Sequence, residues 1–380
     1  MIDSMEHTVP GRVPAPIQGQ APLPGLLKHV TPEEIPASGD LLSASALREH
    51  LAALPDTALS VIVVGDIMLG GRARASIAAH GSDYPFAAVL PLLRQAPIVI
   101  GNLEGPFART ARRQHRTYSY RVDPDLATAL PRAGITVVTL ANNHLLDCGR
   151  AGVTETLDTL ALAGVAALGA AANEAAAHAP VIRQAGRLRI GLLGYYWNSR
   201  TAATPDRPGS AMDPPEALAA DICHLREQVD RVVVTFHWGV PYEREPLPAD
   251  RTKARFAVDC GADAVIGHHP HVVQPFEIYR GCPIFYSVGN FTFGSGNSRG
   301  EGVALGLRFD NHRTVADVYP LYVKNRDPRV DYQPKVMAGE AAAHVLGRLA
   351  DLSGPFADAL RVEGCRGRVV LDRRGHPGEA

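Results

Sequence analysis

The sequence has little cysteine and no long hydrophobic run. Its five cysteines among 380 residues are scattered without a CxxC pair, which argues against a disulfide framework and a thiolate zinc site. No apolar stretch reaches the roughly 18 residues that a transmembrane helix needs, and the start of the chain resembles no signal peptide. We therefore expect a cytoplasmic protein without a membrane partner.

An excess of charge of either sign is also absent. The 38 basic and 39 acidic side chains give a net charge of −1, and 46% of the residues are hydrophobic. This balance excludes a wholly disordered chain and a globally basic protein that binds nucleic acid. A partner must therefore be recognised by a local site.

The pattern of prolines and apolar residues divides the chain into three regions. We predict a proline-rich arm with a short helix over residues 1–58, a main domain over residues 59–325, and a helical extension over residues 326–380. In the first region, Leu47, Leu51 and Leu54 recur at helical spacing before Pro55. In the last, residues 338–352 have the pattern of a further helix.

The main domain alternates apolar, β-branched runs with helical patterns. The predicted strands are LSVIVVGD (59–66), PIVIG (97–101), ITVVTL (135–140), LRIGLLG (188–194), RVVVTFH (231–237), DAVIG (263–267) and PIFYSVGN (283–290). Continuous apolar runs indicate strands that are buried on both faces. Their alternation with helices predicts a layered α/β fold, and residues 303–323 predict an antiparallel hairpin at its edge.

Polar side chains that can bind a metal follow several of these strands. They are Asp66, Glu104, Asn143 with His144, His237, and His269 with His271. The carboxyl ends of strands in an open α/β sheet meet at one crevice, so these side chains are expected to lie together. This mixed nitrogen and oxygen set suits Mn²⁺, Fe²⁺ or Zn²⁺ better than Mg²⁺ or Ca²⁺.

Each of these residues also has an interpretation that needs no metal. An aspartate after a strand is usually a turn or N-cap residue, Asn142 and Asn143 could form a turn, and His237 could be a core histidine. The segment GHHPH (267–271) is harder to explain, because three histidines beside a proline favour neither a strand nor a helix. The joint pattern favours a metal site.

Five motifs resemble, in order, those of the CapA family of poly-γ-glutamate capsule biosynthesis proteins. They are GDIMLGGR (65–72), GNLEGP (101–106), LANNHLLDCGRAGVTETLDTL (140–160), FHWGVPYEREP (236–246) and GADAVIGHHPHVVQPFEIYRGCPIFYSVGNFTFGS (261–295). That family is similar to the calcineurin-like metallophosphatases. The resemblance implies a four-layer α/β/β/α sandwich of metallophosphatase type with two mixed sheets, and two divalent metal ions across the strand ends.

The resemblance also implies roles for the candidate ligands. Asp66 takes the place of the first aspartate, Asn143 and His144 that of an Asn-His pair, His237 that of an isolated histidine, and His269 with His271 that of the closing His-x-His. Glu104 falls where the phosphatases have a bridging aspartate. These residues are the expected metal ligands, apart from His144.

Met68 stands where the ordinary calcineurin-like phosphatases have a further histidine ligand. We therefore expect one ion to be held more weakly by Asp66, Glu104 and His271, with Asn102 as a candidate replacement for the lost ligand. His268 stands where a glycine is usual. It is either a residue that supports the ligands or a solvated loop histidine.

Two ions of this kind activate water and neutralise charge on a phosphoryl or carbonyl oxygen. His144, next to a ligand, is the candidate general acid or oxyanion stabiliser, or else a residue that orients the ligands. Asp147 is a second candidate catalytic residue. It could hold the His144 imidazole or begin the following helix, and we favour the helix start.

Candidate substrate-binding residues lie in two further segments. Arg112, Arg113 and Arg116 follow the Glu104 strand and would suit phosphate or several carboxylates, although a solvated loop explains them equally well. Trp238 and Tyr242 could wall the pocket or belong to the core.

The sequence thus predicts a soluble, metal-dependent enzyme with hydrolase-type chemistry. The expected substrate is a small-molecule or peptide-like anion, either a phosphoester or a γ-glutamyl or peptide-like amide. The alternative is a non-catalytic metal-binding accessory protein for the synthesis of poly-γ-glutamate or a related polymer. Capsule-type members are expected to carry a membrane anchor, and no anchor is recognised here, which favours a cytoplasmic biosynthetic role. The sequence does not indicate the oligomeric state.

Overall fold

The computed structural model describes residues 36–55, 58–114, 118–296 and 298–372, and the proline-rich residues 1–35 are outside this part. Its strands are β1 (Val61–Met68), β2 (Ile98–Leu103), β3 (Val137–Thr139), β4 (Ala166–Leu168), β5 (Ala170–Ala171), β6 (Val181–Ala185), β7 (Leu188–Tyr196), β8 (Gly209–Ser210), β9 (Arg231–His237), β10 (Ala264–His268), β11 (Phe276–Tyr279), β12 (Cys282–Phe285), β13 (Asn290–Phe293), β14 (Glu301–Phe309), β15 (Arg313–Tyr322), β16 (Lys335–Val336), β17 (Arg361–Glu363) and β18 (Arg366–Asp372). Its helices are α1 (Ala44–Ala53), α2 (Ala73–His80), α3 (Leu90–Leu93), α4 (Ala129–Arg132), α5 (Gly149–Ala163), α6 (Glu174–His178), α7 (Pro215–Arg226), α8 (Pro248–Asp259) and α9 (Gly339–Leu352).

Two mixed sheets form the centre of the fold. The first has the strand order β17-β18-β15-β14-β1-β2-β3-β4, with β13 also paired to β1 and β16 to β15. The second has the order β11-β12-β10-β9-β7-β6. Strands β13, β1, β2, β3 and β4 are parallel in the first sheet, as are β7, β9, β10 and β12 in the second. Parallel pairing brings the carboxyl ends of these strands to one edge of each sheet.

The inner faces of the two sheets pack against each other. In β1, Val61 and Val63 belong to the same buried apolar cluster as Val233 of β9. The intervening Ile62 points the other way and belongs to a cluster with Val153 of α5. This alternation explains why β1 is buried along its whole length, as its continuous apolar run predicts.

The second sheet is covered by helices on its outer face. Val232 and Val234 of β9 pack in a cluster with Ile222 of α7 and Ala257 of α8. The order of layers is therefore helices, sheet, sheet, helices. The predicted four-layer α/β/β/α sandwich with two mixed sheets is confirmed.

One predicted strand proves to be two strands in different sheets. The run 283–290 contains β12 of the second sheet, but its last residue, Asn290, begins β13 of the first sheet. The chain crosses between the sheets at Gly289, whose φ of 69° favours glycine. Gly65 of β1 lies against the Gly289 carbonyl with no room for a Cβ atom. The crossing places Asn290 beside Asp66.

Both terminal regions contribute more to the main fold than the sequence predicted. The short helix of residues 1–58 is α1, and its Leu47 and Leu51 are buried in the cluster that contains Val153. The helix predicted in residues 326–380 is α9, but this region is not only helical, because β17 and β18 extend the first sheet beyond β15. Arg366 of β18 is fully buried because its guanidinium lies 3.0 Å from the Asp317 carboxylate of β15.

In the part of the chain that the structure describes, no helix combines the length and the apolar character needed to cross a membrane.

Candidate metal centre

The predicted ligands converge where the parallel strands of both sheets end. Asp66 of β1 is in register with Asn102 of β2 and with Asn290 of β13. In the second sheet, His237 of β9 is in register with His268 of β10. The fold therefore brings together side chains from strand ends that are far apart in sequence.

Glu104 lies at the middle of this cluster. Its carboxylate oxygens are 3.8 Å from His237 Nδ1, 3.8 Å from His271 Nε2 and 3.9 Å from His144 Nε2. The side chain is fully buried, and among the described residues its Oε2 atom has no hydrogen-bond partner. Burial, together with the nearby Asp66 carboxylate, holds the pKa of Glu104 well above its ordinary value.

One side of Glu104 is rich in histidine. His237 Nε2 lies 2.8 Å from Asn143 Oδ1, and the His237 ring is 4.5 Å from the ring of His269. Burial lowers the pKa of His237 well below its ordinary value and lowers the pKa of His269 to about 3. Both imidazoles are therefore neutral at pH 7, which is the form that binds metals.

The other side of Glu104 is organised by Asp66. Its carboxylate lies 2.9 Å from His271 Nδ1 and accepts a hydrogen bond of 2.7 Å from Asn102 Nδ2. Although burial opposes ionisation, the contact with His271 lowers the pKa of Asp66. Burial alone would lower the pKa of His271, but the Glu104 and Asp66 carboxylates outweigh this effect and raise the pKa to about 9. This side is already paired through hydrogen bonds and charge.

Met68, at the position of the missing histidine, is a packing residue. It is buried in an apolar cluster with Phe293, and its sulfur accepts a hydrogen bond from the Gly70 backbone at 3.2 Å. Asn102 does not replace the lost ligand, because its amide oxygen accepts a hydrogen bond from Asn142 Nδ2 at 3.1 Å. Asn102 instead donates to both carboxylates, since its Nδ2 also lies 3.0 Å from Glu104 Oε1.

The histidine loop after β10 has an unusual backbone. His269 and His271, on either side of Pro270, have φ angles of 98° and 57°. Residues other than glycine rarely adopt positive φ, and such strain concentrates at functional sites. The backbone conformation of the loop turns both rings towards the cluster. There, ligand atoms of Glu104, His269 and His271 all lie within 4.8 Å of one another.

His268 lies behind this loop rather than in solvent. It is buried, its Nδ1 is 3.6 Å from Asp66 Oδ1, and burial lowers its pKa to about 4. Among the described residues neither of its ring nitrogens has a hydrogen-bond partner. The interpretation as a solvated loop histidine is wrong.

His144 is held from two directions. Its Nδ1 lies 2.8 Å from Asp147 Oδ2, and its backbone N–H donates to Asn142 Oδ1 at 3.0 Å. The favoured assignment of Asp147 to the helix start is wrong, because α5 begins at Gly149 and no side chain caps it. Asp147 instead holds the imidazole, which leaves His144 Nε2 directed towards Glu104.

Two contacts in this centre had no counterpart in the predicted site. Asn290 Oδ1 lies 3.0 Å from His271 Nδ1, and the Tyr120 ring lies 4.4 Å from the ring of His144. Asn290 could have been found as another polar residue at a strand end. Tyr120 belongs to a segment without regular structure, and no pattern in the sequence indicates its position.

The predicted substrate-binding residues lie in different surroundings. Trp238 does not wall the pocket, because it is buried in the core, stacks on Phe236 and donates to the Tyr286 carbonyl at 2.8 Å. Tyr242 is 42% exposed, and its ring lies 6.0 Å from that of His271, which places it at the mouth of the centre.

The arginines predicted to bind substrate lie beside a cavity. Arg112 and Arg113 line it together with Arg74 and Arg121. Arg116 lies outside the described residues.

These residues fit a transition metal. The donors are carboxylate and amide oxygens with neutral imidazole nitrogens, which suit Mn²⁺, Fe²⁺ or Zn²⁺. A buried carboxylate oxygen without a hydrogen-bond partner is costly unless a cation or a proton meets it. Glu104 Oε2 and its surrounding histidines therefore form a candidate metal centre.

Comparison with known proteins agrees with the motifs. Residues 60–295 match the model of a family described as bacterial capsule synthesis protein PGA_cap. The chain is 34% identical over 284 residues to a capsule biosynthesis protein CapA of Bacillus anthracis, covering 71% of this chain and 69% of that protein. It is 35% identical over 184 residues to a probable polyglutamine synthesis accessory protein of Mycobacterium tuberculosis, covering 45% and 48% of the two chains.

Among solved structures, the chain is similar to the 5'-nucleotidase precursor from Thermus thermophilus. The match has a TM-score of 0.42 and 13% identity, and it covers 79% of this chain and 59% of the other. The family match spans more than half of the chain, and the CapA relative is covered over more than two thirds of its length. The chain therefore belongs to the bacterial capsule synthesis protein family PGA_cap, as its CapA-like motifs predicted.

Proposed function

We propose that this protein is a metal-dependent enzyme with hydrolase-type chemistry. The observation that carries the proposal is the buried Glu104 carboxylate, which three histidines approach within 4 Å and whose Oε2 atom lacks a hydrogen-bond partner among the described residues. A purely structural core would not keep such a group, because burying an unsatisfied carboxylate destabilises the fold.

The proposed ligands form two sets that share Glu104. One set is Asn143, His237 and His269, and the other is Asp66 and His271. Two divalent ions, Mn²⁺, Fe²⁺ or Zn²⁺, match these donors. When bound, such ions supply activated water and neutralise the charge that develops on a phosphoryl or carbonyl oxygen.

His144 is the proposed general acid. Asp147 holds its Nδ1 at 2.8 Å, which fixes the orientation of the ring and directs Nε2 into the centre. From there Nε2 can donate its proton to the leaving group or a hydrogen bond to a developing oxyanion. The Tyr120 ring against His144 restricts the imidazole further and shields it from water.

The proposed substrates are a γ-glutamyl or peptide-like amide, or a phosphoester. The amide is supported by relatives that are named for capsule biosynthesis and polyglutamine synthesis. A metal centre of this kind can act on either group, because both reactions build negative charge on an oxygen. The reaction would then cut or modify an anionic biosynthetic product.

A second candidate is a non-catalytic accessory protein that holds a polymer or a partner enzyme. Two observations favour it. The Mycobacterium tuberculosis relative is named an accessory protein, and Met68 stands where the ordinary calcineurin-like phosphatases have a histidine ligand. Such a protein would bind metal through Glu104 and its histidines without turnover.

The experiment that tests the proposal combines metal analysis with activity screening. The purified protein is loaded with Mn²⁺, Fe²⁺ or Zn²⁺ and assayed on γ-glutamyl amides and on phosphoesters. We expect turnover in wild type, and a rate lower by about 10²-fold or more in His144→Ala with metal content unchanged. His178→Ala is the matched control, because His178 has the same pairing, with Asp221 at 2.7 Å, outside the centre.

Full activity of His144→Ala would remove His144 from the mechanism. Loss of its metal would instead make His144 a ligand. Bound metal without turnover on any substrate would favour the accessory protein over the enzyme.

A further inference from the structure

Four arginines line one cavity near the metal centre. The cavity has a volume of about 400 Å³, and its lining residues are Arg74, Arg112, Arg113 and Arg121. Arg74 belongs to α2, whereas the other three belong to the segment between β2 and β3. Two parts of the chain that are separate in sequence thus present like charges to the same space.

The acidic residues closest in sequence to this segment are engaged elsewhere. Asp123 and Asp125 both pair with Arg109, at 3.0 and 2.7 Å. The Glu155 carboxylate accepts hydrogen bonds from the backbone of Arg109, Thr110 and Ala111. These contacts anchor the start of the segment and engage its local carboxylates, although the pKa of Asp123, lowered by the Asp125 backbone and by Arg109, is also lowered by the more distant charge of Arg74.

The cavity arginines therefore have little internal compensation. Within the described ranges, none of the four forms an ion pair with a carboxylate, and Arg113 donates only to the Ser119 carbonyl, at 3.3 Å. Like charges in one pocket repel one another, and a bound anion removes that repulsion. Guanidinium groups bind phosphate and carboxylate in bidentate geometry, which makes an oxyanion the matching ligand.

The segment that carries three of these arginines also touches the catalytic candidates. Tyr120, next to Arg121, packs its ring on His144 and donates its backbone N–H to Asp147 Oδ2 at 2.6 Å. The Gln114 backbone, next to Arg113, donates to the Asp147 carbonyl at 2.7 Å. Asp147 thus fixes both the imidazole and the arginine segment, so the cavity is held in a set position beside the metal centre.

We propose that this cavity is a subsite for a multiply charged oxyanion on the substrate, away from the bond that reacts at the metal centre. The inference deepens the proposed function and rests on it, because it takes the bound molecule to be a substrate of the metal centre. The volume is in the range of small-ligand sites, roughly 300–1,000 Å³, so the cavity holds more than one carboxylate or phosphate group. Two kinds of ligand carry several oxyanion groups of this kind. One is a polyanionic chain with successive carboxylates, and the other is a diphosphate.

The test is direct binding to the full-length, metal-loaded protein. A fluorescent γ-linked glutamate pentamer is titrated by anisotropy at low and high salt, with inorganic pyrophosphate and unlabelled pentamer as competitors. We expect affinity to fall with salt and to weaken about tenfold or more in Arg74→Gln/Arg121→Gln, because charge-assisted hydrogen bonds are lost. Stronger competition by pentamer assigns the site to polycarboxylates, and stronger competition by pyrophosphate assigns it to phosphates.

The control removes two charges that already have partners. Arg132→Gln/Arg313→Gln changes two exposed arginines that pair with Asp83 and Asp372, and we expect binding within about twofold of wild type. Wild-type affinity in Arg74→Gln/Arg121→Gln, or an equal loss in the control, would overturn the proposal. If the double variant fails to melt cooperatively, Arg74→Gln and Arg121→Gln are measured singly against the same criterion.

Failure of this inference and failure of the proposed function are distinguishable. Binding and turnover are measured in separate assays. Binding that survives without turnover on any substrate contradicts the enzyme but supports the subsite. Turnover together with wild-type binding in Arg74→Gln/Arg121→Gln contradicts the subsite alone.

Discussion

The two sides of the candidate metal centre share Glu104 but differ in how their polar groups are paired. On the histidine side, His237 is buried and His269 is half-buried, and both are neutral because the pKa of each is lowered. On the Asp66 side, Asp66 and His271 are 2.9 Å apart and carry opposite charges, since the pKa of His271 is raised to about 9. One side offers lone pairs, whereas the other already holds an internal ion pair.

This difference predicts which side of the candidate centre binds metal more tightly. A metal on the histidine side displaces no proton from His237 or His269 at pH 7, whereas a metal at His271 must displace one. The Asp66 side has also lost a ligand, because Met68 packs into the core instead of reaching the centre. We therefore expect a tight ion on the histidine side and a weaker ion beside Asp66.

The largest expected effect comes from removing a ligand on the histidine side. His237→Ala should lower metal affinity about 100-fold or more and remove most of the bound metal, measured by elemental analysis after dialysis. Asp66→Asn is the matched change on the other side and should weaken only the second ion, by about tenfold. Unchanged metal content in His237→Ala, or a greater loss in Asp66→Asn, would falsify the assignment.

The shared residue should have opposite effects on stability and on metal binding. Burial raises the pKa of Glu104, so its charge destabilises the metal-free fold, and Glu104→Gln should raise the free energy of unfolding in chelator by about 1–3 kcal/mol. The same variant should bind metal poorly on both sides. Chemical denaturation with and without metal measures both effects, and a less stable metal-free variant would contradict this account.

The smallest expected effect is a pH dependence from His268. Burial lowers the pKa of His268 from 6.5 to about 4. Between pH 6.5 and pH 4 the unfolded chain therefore binds a proton at this residue, whereas the folded protein does not. Stability from this residue is full above pH 6.5 and is lost as the pH falls. Metal-free wild type should lose on the order of 1 kcal/mol relative to His268→Gln between pH 7 and pH 5. A difference that does not change with pH would show that His268 protonates freely.

Much of the fold could be predicted because its strands are continuous apolar runs. The predicted strands of β1, β2, β7, β9 and β10 agree with the structure to within two residues at most ends, and their buried faces follow from composition alone. The division of 283–290 between two sheets could not be predicted, because it depends on the turn at Gly289 and its contact with Gly65. Strand β18 was missed because an arginine such as Arg366 is expected at the surface unless its buried partner, Asp317, is known.

The candidate centre shows the same limit. The ligands at strand ends could be predicted because the parallel sheets determine where those ends meet. Asn290 was missed, since its position depends on β13 pairing with β1. For Trp238 the sequence allowed both the pocket wall and the core, and the structure places it in the core. Whether Asp147 would hold an imidazole or cap a helix is decided by tertiary contacts with His144 and Tyr120.

The central claim is that the two sides of Glu104 bind metal with different affinities. Isothermal titration of Mn²⁺ or Zn²⁺ into chelator-treated, dialysed protein tests it most directly. We predict two separated binding steps, a tight one that His237→Ala weakens about 100-fold or more and a weaker one that Asp66→Asn weakens about tenfold. A single step that both variants remove equally, or no binding by wild type, would contradict the claim.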